Sequence, residues 1–246
     1  MERYPIKINI CPISEAILEI RYKSEYPNDA IFGLIYNETK EIFKDKPYSL
    51  PILQLPSQIR EQDPNLLYKP HHRLKKSNFL FNIGPRVLNF VNTEPYEGWK
   101  NWSEFFYNIL GNIKEINVMN EIERVGLRYV NLFNDIILDK VKVKLDIIDR
   151  SLDDESTHFR TEIRDENSII ILQLGNSVNI EKDDDVIHGS IIDIDCINNI
   201  EDNDYFWKNY KDIIENSHSK EKKMFFSLLE ESFIQKLEPV YGGKNE

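Results

Sequence analysis

Ile122-Glu123-Arg124-Val125-Gly126-Leu127-Arg128-Tyr129-Val130-Asn131-Leu132 sets apolar Val125, Leu127 and Tyr129 at every second position, with Arg124 and Arg128 on the opposite side. A period of two marks a strand half-buried against a core. The two arginines on the other face need water or carboxylates. Glu15 and Glu19, on the polar side of an earlier strand, are the expected partners.

Working outward, residues 6–22 read as extended chain. Pro12 has no backbone donor and marks an edge or a bulge there. Beyond it, Ala16, Leu18, Ile20 and Tyr22 share one face, and Glu15, Glu19 and Arg21 the other. Pro27-Asn28-Asp29 supplies helix-start chemistry, followed by Ile31, Leu34, Ile35, Ile42 and Phe43 at spacings suited to a helix. Residues 47–56 form a proline-punctuated extended segment, an edge strand or its approach. Residues 78–83 and 86–91 form a hairpin joined at Gly84-Pro85. The clearest helix spans residues 99–116, where Trp99, Trp102, Phe105, Phe106, Ile109 and Leu110 open a wide apolar stripe. Each such side chain gains about 1.5–3 kcal/mol on burial, so this helix is expected to be core.

Strands are then expected over residues 141–148, 157–164, 168–174 and 186–197. Helices are expected over 205–216 and 220–237, with a break at Ser217-His218-Ser219. The acidic connection through Asp149, Asp153, Asp154 and Glu155 divides the chain into residues 1–150 and residues 151–246, within two domains or one continuous one. Runs of strands followed by helices predict an α+β fold, a mainly antiparallel sheet packed by amphipathic helices, in two similar sheet-and-helix layers.

The composition, 41% hydrophobic and 30% charged over 246 residues, is that of a globular chain. A net charge of −11 argues against non-specific binding to nucleic acid, which rests on clustered cations. Lys69 to Lys76 is the strongest candidate for a local basic patch, read as a solvated loop entering a strand. Cys11 and Cys196 each sit among isoleucines and read as buried small hydrophobes in a reducing cytoplasm. No apolar run is long enough to imply a membrane span, and no leader segment is read at Met1. The expectation is a soluble cytoplasmic protein.

Catalytic signatures are absent from the sequence. The five histidines form no zinc pattern, and no phosphate-cradling glycine motif or nucleophile elbow occurs. No cofactor is implied. Charged residues alternating on strands remain, and Asp193 with Asp195 is a weak candidate for a divalent ion. The plainer reading is cross-strand ion pairing.

Several segments together resemble a family of prokaryotic proteins of similar length, sporadically distributed among genomes and without an assigned activity. They are residues 12–22, Ile83-Gly84-Pro85-Arg86-Val87-Leu88, residues 99–105 and, most of all, Glu123 through Asn131. His218, Phe225-Phe226 and Tyr241-Gly242 fit the closing pattern. The resemblance covers nearly the whole chain and implies no catalytic residues. Its patchy distribution implies genes carried with defence or toxin–antitoxin loci, which is association and not mechanism.

Three functions follow as expectations. The first is a non-enzymatic interaction or regulatory component whose partner is another protein, which fits the acidic charge and abundant aromatics. The second is a small-ligand binder with a pocket lined by Trp99, Trp102 and Tyr129. The third is a metal-dependent enzyme on nucleic acid using Asp193 and Asp195 with Glu162 or Glu19. Candidate ligand or interaction residues are Arg124, Arg128, Glu15, Glu19, Trp99 and Tyr129.

Overall fold

The computed structural model describes residues 4–144, 146–148, 150–152, 156–182 and 185–242. The chain begins β1 (Lys7–Ile8), β2 (Ile13–Lys23), α1 (Asn28–Thr39), β3 (Tyr48–Ser49) and α2 (Ser57–Gln62). It continues β4 (His72–Lys76), β5 (Phe79–Gly84), β6 (Val87–Thr93), α3 (Trp99–Glu115) and β7 (Glu121–Phe133). Next come β8 (Asp146–Ile147), β9 (Arg150–Ser151), β10 (Thr157–Asp165), β11 (Ser168–Lys182) and β12 (Asp185–Asn199). It closes with α4 (Asn203–Leu228), α5 (Glu231–Lys236) and β13 (Pro239–Val240). The fold is α+β, a mainly antiparallel sheet packed against helices. Among the described residues no helix is long and apolar enough to cross a membrane.

Two compact units share these elements. One comprises residues 15–127 and 197–216; the other holds the described residues of 1–14, 128–196 and 217–246. Because β2, β7, β12 and α4 contribute to both, the units interleave along the sequence. Of the acidic connection, Asp149, Asp153, Asp154 and Glu155 lie outside the described residues.

In the first unit the strands follow the order β7, β2, β6, β5, β4, β3. Register pairs Ile20 with Leu88, Leu18 with Phe90, Phe90 with Phe81 and Phe81 with Leu74, so these side chains share one face. All are buried there, as are Ile31 and Ile35 of α1 and Trp102, Phe106 and Ile109 of α3. The Tyr22 hydroxyl donates to the Gly84 carbonyl at 2.8 Å, pinning the hairpin end. A Cβ on Gly84 would sit 2.8 Å from the Lys69 carbonyl oxygen, so only glycine admits that strand approach.

In the second unit the order is β10, β11, β12, β7. Ile170, Leu172, Leu174, Ile192, Ile194 and Cys196 make one apolar face, packed with Phe225, Phe226, Leu229, Phe233 and Ile234. Each unit therefore has the same layering, a sheet with helices over its apolar face.

Several expectations need correction. Helix α4 runs unbroken through Ser217-His218-Ser219. Propensity costs of a few tenths of a kcal/mol at these residues are outweighed by a buried stripe through Ile214, Ser217, Glu221, Phe225 and Leu228. Residues 141–148 are not one strand. Among the described residues, which leave out Leu145, Val141 makes a lone bridge to Leu229, and Asp146–Ile147 is a separate two-residue strand paired with Arg150–Ser151. Within residues 47–56 the expected edge strand is confined to Tyr48–Ser49, and short helical turns follow at Pro51–Gln54 and Ser57–Gln62. Cys196 is buried as expected, but Cys11 is exposed, because it precedes β2 instead of lying within a strand.

Candidate functional site

The polar face of the first unit is assembled from the residues between those that build its core. Arg21 Nε donates to Glu19 Oε1 at 2.7 Å, and Arg124 Nη2 stands 3.8 Å from the same oxygen. Glu123 accepts from Arg86 at 3.2 Å and from the Tyr68 hydroxyl at 3.0 Å, with Lys23 at 3.5 Å. The Arg21 and Arg86 guanidiniums lie 4.4 and 5.4 Å from the Tyr68 ring centre, a cation–π arrangement. Burial, then Glu123, pushes the Tyr68 phenol up from its usual value. Glu15 is exposed on β2 opposite Thr93. Ile122 and Val125 are both buried, so the alternation slips by one residue and leaves Glu123 and Arg124 side by side on the polar face.

In the second unit Arg128 meets Asp193, not Glu15 or Glu19 as the sequence led one to expect. Nε donates to Oδ1 at 2.8 Å and Nη2 to Oδ2 at 2.6 Å, a two-pronged pair, and Gln173 donates to Oδ2 at 2.8 Å. The difference is one of neighbourhood, because β12 borders β7 in this unit and supplies the nearer acid. Asp193 is buried, whereas Arg128 is 42% exposed along its side chain. Arg128→Met should cost about 1–3 kcal/mol, since a buried carboxylate keeps only Gln173. Reversible denaturant titration measures it, and a loss below about 0.5 kcal/mol would mean solvent replaces the arginine. With both Asp193 oxygens held by donors, a divalent ion at Asp193 and Asp195 would have to displace a guanidinium. Among the described residues no cluster of three or more His, Cys, Asp or Glu is placed to hold a metal.

Tyr129 is buried, its hydroxyl 3.1 Å from His218 Nδ1. Burial, helped by Lys222, holds the His218 imidazole down at about 4, so the ring is neutral at physiological pH. One turn further along α4, Glu221 is buried in the apolar stripe, and burial pushes its carboxyl up to about 8. No hydrogen-bond partner is found for that carboxyl among the described residues. Glu221 falls inside the helix expected over 220–237, but the break expected at Ser217-His218-Ser219 hid the stripe that continues through it. The missed signal is the spacing Ser217-Glu221-Phe225, which puts a carboxyl on a core stripe. Lys220, on the same helix, donates to the Asp165 carbonyl at 2.9 Å and the Ser168 hydroxyl at 3.3 Å, fastening the β10–β11 turn.

Trp99 packs edge-on against Trp102 and Phe106, and its indole N–H donates to Glu215 at 2.9 Å. Trp102 is fully buried. The aromatic stripe of α3 is thus packing and holds its neighbours by ring contacts.

The basic run is a loop that enters β4, with Lys69, Lys75 and Lys76 exposed, and its His71 and His72 border a polar hollow. Its walls include Asp29, Phe32, Arg60, His71 and His72, enclosing about 90 Å³. Arg60 Nη1 lies 3.2 Å from His71 Nδ1 and its Nε donates to the Leu55 carbonyl at 3.1 Å. The His72 ring stacks on Phe32 with centroids 3.8 Å apart. Burial, then the Arg60 charge, lowers His71 to about 4, so it faces the guanidinium as a neutral acceptor. Leu55 and Ile59 stand exposed beside this wall, at 40% and 50%. A shallower recess of about 310 Å³ has Glu25, Tyr26, Asn117 and Asn120 on its walls, but the Asn120 side-chain oxygen is already taken by the Glu25 amide.

No family model matches the chain, and no curated protein sequence matches it.

Proposed function

We propose that the protein is a non-enzymatic interaction component of an accessory genetic system of the defence or toxin–antitoxin kind. It acts in the cytoplasm and recognises another protein through the hollow at Arg60 and His71. The resemblance of residues 123–131 and the flanking segments to sporadically distributed prokaryotic proteins supports the setting.

The observation that supports the mode of action is the size and chemistry of the hollow. Sites for small metabolites usually enclose about 300–1,000 Å³. A space of about 90 Å³ accommodates the tip of one partner side chain. Arg60 supplies fixed donors, Asp29 an acceptor, and exposed Leu55 and Ile59 an apolar rim. A polar anchor beside an apolar rim is the composition of a protein interface, in which arginine and aromatic residues carry much of the energy. Arg21, Arg86, Arg124 and Arg128 are engaged with Glu19, Glu123 and Asp193, which orients these charges and leaves them poorly placed for proton transfer.

The test is quantitative affinity capture from the native host, comparing wild type with Arg60→Ala. One protein should be enriched by the wild type and reduced at least tenfold by the variant, with an unchanged melting temperature. Equal capture by both, or enrichment of nucleic acid instead of protein, would overturn the reading.

A further inference from the structure

We infer that β10 is a homodimerisation edge, at which two copies of this chain pair antiparallel about a two-fold axis through Thr161. The inference rests on the second unit alone and does not depend on the hollow at Arg60.

β10 ends the strand order, and among the described residues β11 is its only strand neighbour. It is a regular nine-residue strand with an unbroken register from Thr157–Asn176 to Asp165–Ser168. The turn between the strands is the two residues Glu166 and Asn167. In a two-residue hairpin the flanking pair exchanges both backbone hydrogen bonds. Asp165, Ile163, Thr161, Phe159 and Thr157 therefore direct their N–H and C=O toward β11. Arg164, Glu162, Arg160 and His158 direct theirs outward. A long, regular edge with outward backbone groups is a template for another strand unless something blocks it. No proline or bulge interrupts this one.

Charge decides which strand fits. Hydrogen-bonding parity permits only registers that place an even-numbered residue opposite an even-numbered one. Of these, only the register centred on Thr161 matches all nine residues to a second copy. It sets Arg160 opposite Glu162 of the copy and Glu162 opposite its Arg160. Centring on Glu162 would oppose Glu162 to itself and Arg160 to Arg164, and centring on Arg160 would oppose two arginines. Directly opposed like charges are destabilising, and opposite charges contribute about 0.2–1 kcal/mol per pair. Within one chain Arg160 and Glu162 already lie 2.7 Å apart and both are about half exposed. Across the axis they would close a ring of alternating charges.

The other face agrees with this register. Phe159 would stand opposite Ile163 of the copy, and Ile163 opposite its Phe159. Phe159 packs partly against the core of this unit, while Ile163 is 36% exposed. The apolar row would thus continue across the joint. Lys220 fixes the β10–β11 turn to α4, so the edge is held straight before a partner arrives.

Sedimentation velocity of the full chain between about 1 and 100 μM tests this. The expected result is conversion from 29.2 kDa toward twice that mass as concentration rises. Glu162→Arg, which opposes arginine to arginine across the axis, should shift the midpoint at least tenfold upward with unchanged circular dichroism. The double variant Arg160→Glu with Glu162→Arg restores the complementary ring and should return dimerisation to within about threefold of wild type. A wild type that stays monomeric, so that any strand added at β10 comes from a different protein, would overturn the inference. So would a dimer indifferent to Glu162→Arg, or a double variant no better than the single.

Discussion

Replacing Glu221 with glutamine should stabilise the protein by about 3–5 kcal/mol at pH 9 and by little at pH 4. The carboxyl sits on the buried stripe of α4, and burial raises it from 4.5 to about 8. Between those values the folded chain keeps a proton that the unfolded chain has released. Stability contributed by the protonated group is therefore complete below about pH 4.5 and is lost as pH climbs through 8. At about 1.4 kcal/mol per pH unit the full loss is about 5 kcal/mol, of which about 2 falls between pH 6.5 and 9. Lys222 pulls the carboxyl down, and the value of about 8 already includes that pull. The buried histidines act with opposite sign. His71 and His218 are held at about 4, so the unfolded chain takes up protons that the folded chain refuses, and stability is lost as pH falls from 6.5 to 4. Of these three groups, only Glu221 changes its contribution above pH 6.5. Urea titrations of both proteins at intervals from pH 5 to 9 should give curves whose separation grows steadily with pH, with about 2 kcal/mol of that growth above pH 6.5. Parallel curves over that range would mean water reaches the carboxylate and the burial argument fails.

The unequal legibility of the chain has a physical cause. The α3 stripe and the alternation on β2 and β7 were legible because periodicity is local and each pattern is carried by large apolar residues. Partner identity is not local. Arg124 and Arg128 sit four residues apart on one strand, yet one faces Glu19 and the other Asp193, because β7 has β2 on one side and β12 on the other. Nothing within a strand encodes which strand lies beside it. The break expected at Ser217-His218-Ser219 shows the reverse error, in which weak local preference was weighed above a tertiary stripe that continues through it. The hollow at Arg60 was not legible either. Its walls come from α1, from Leu53 and Arg60, from the start of β4 and from the end of β5, segments that are distant in the sequence and that the stacking of Phe32 on His72 helps to join. Asp193, by contrast, stood out in the sequence as an acid on a strand, but its role depends on Arg128 and Gln173 being brought to it by the sheet.

Phe105→Ala should destabilise the protein by about 3–5 kcal/mol, the usual cost of deleting a buried aromatic ring. The ring stacks on Phe79 with centroids 4.7 Å apart and meets Phe43 and Phe90 edge-on at 6.1 and 6.5 Å. Phe81 and Phe90 stack at 4.6 Å beneath this group, and Phe43 lies 6.1 Å from Phe81, so the cluster ties α3 to β5, β6 and the turn after α1. Rings locked from several sides cannot collapse into the space left by a missing one, so the cavity penalty adds to the lost transfer energy. Glu104→Ala, one residue earlier on the exposed side of α3, should change stability by less than about 0.5 kcal/mol. Phe79→Ala alone should cost less than Phe105→Ala, because Phe79 is only half-buried. The double variant should cost less than the sum of the two, since each ring loses the same stacked contact. Equilibrium unfolding of the four proteins decides the matter. Additive losses would mean the two rings are not packed on each other, and a Phe105→Ala loss below 1 kcal/mol would place that side of α3 in solvent.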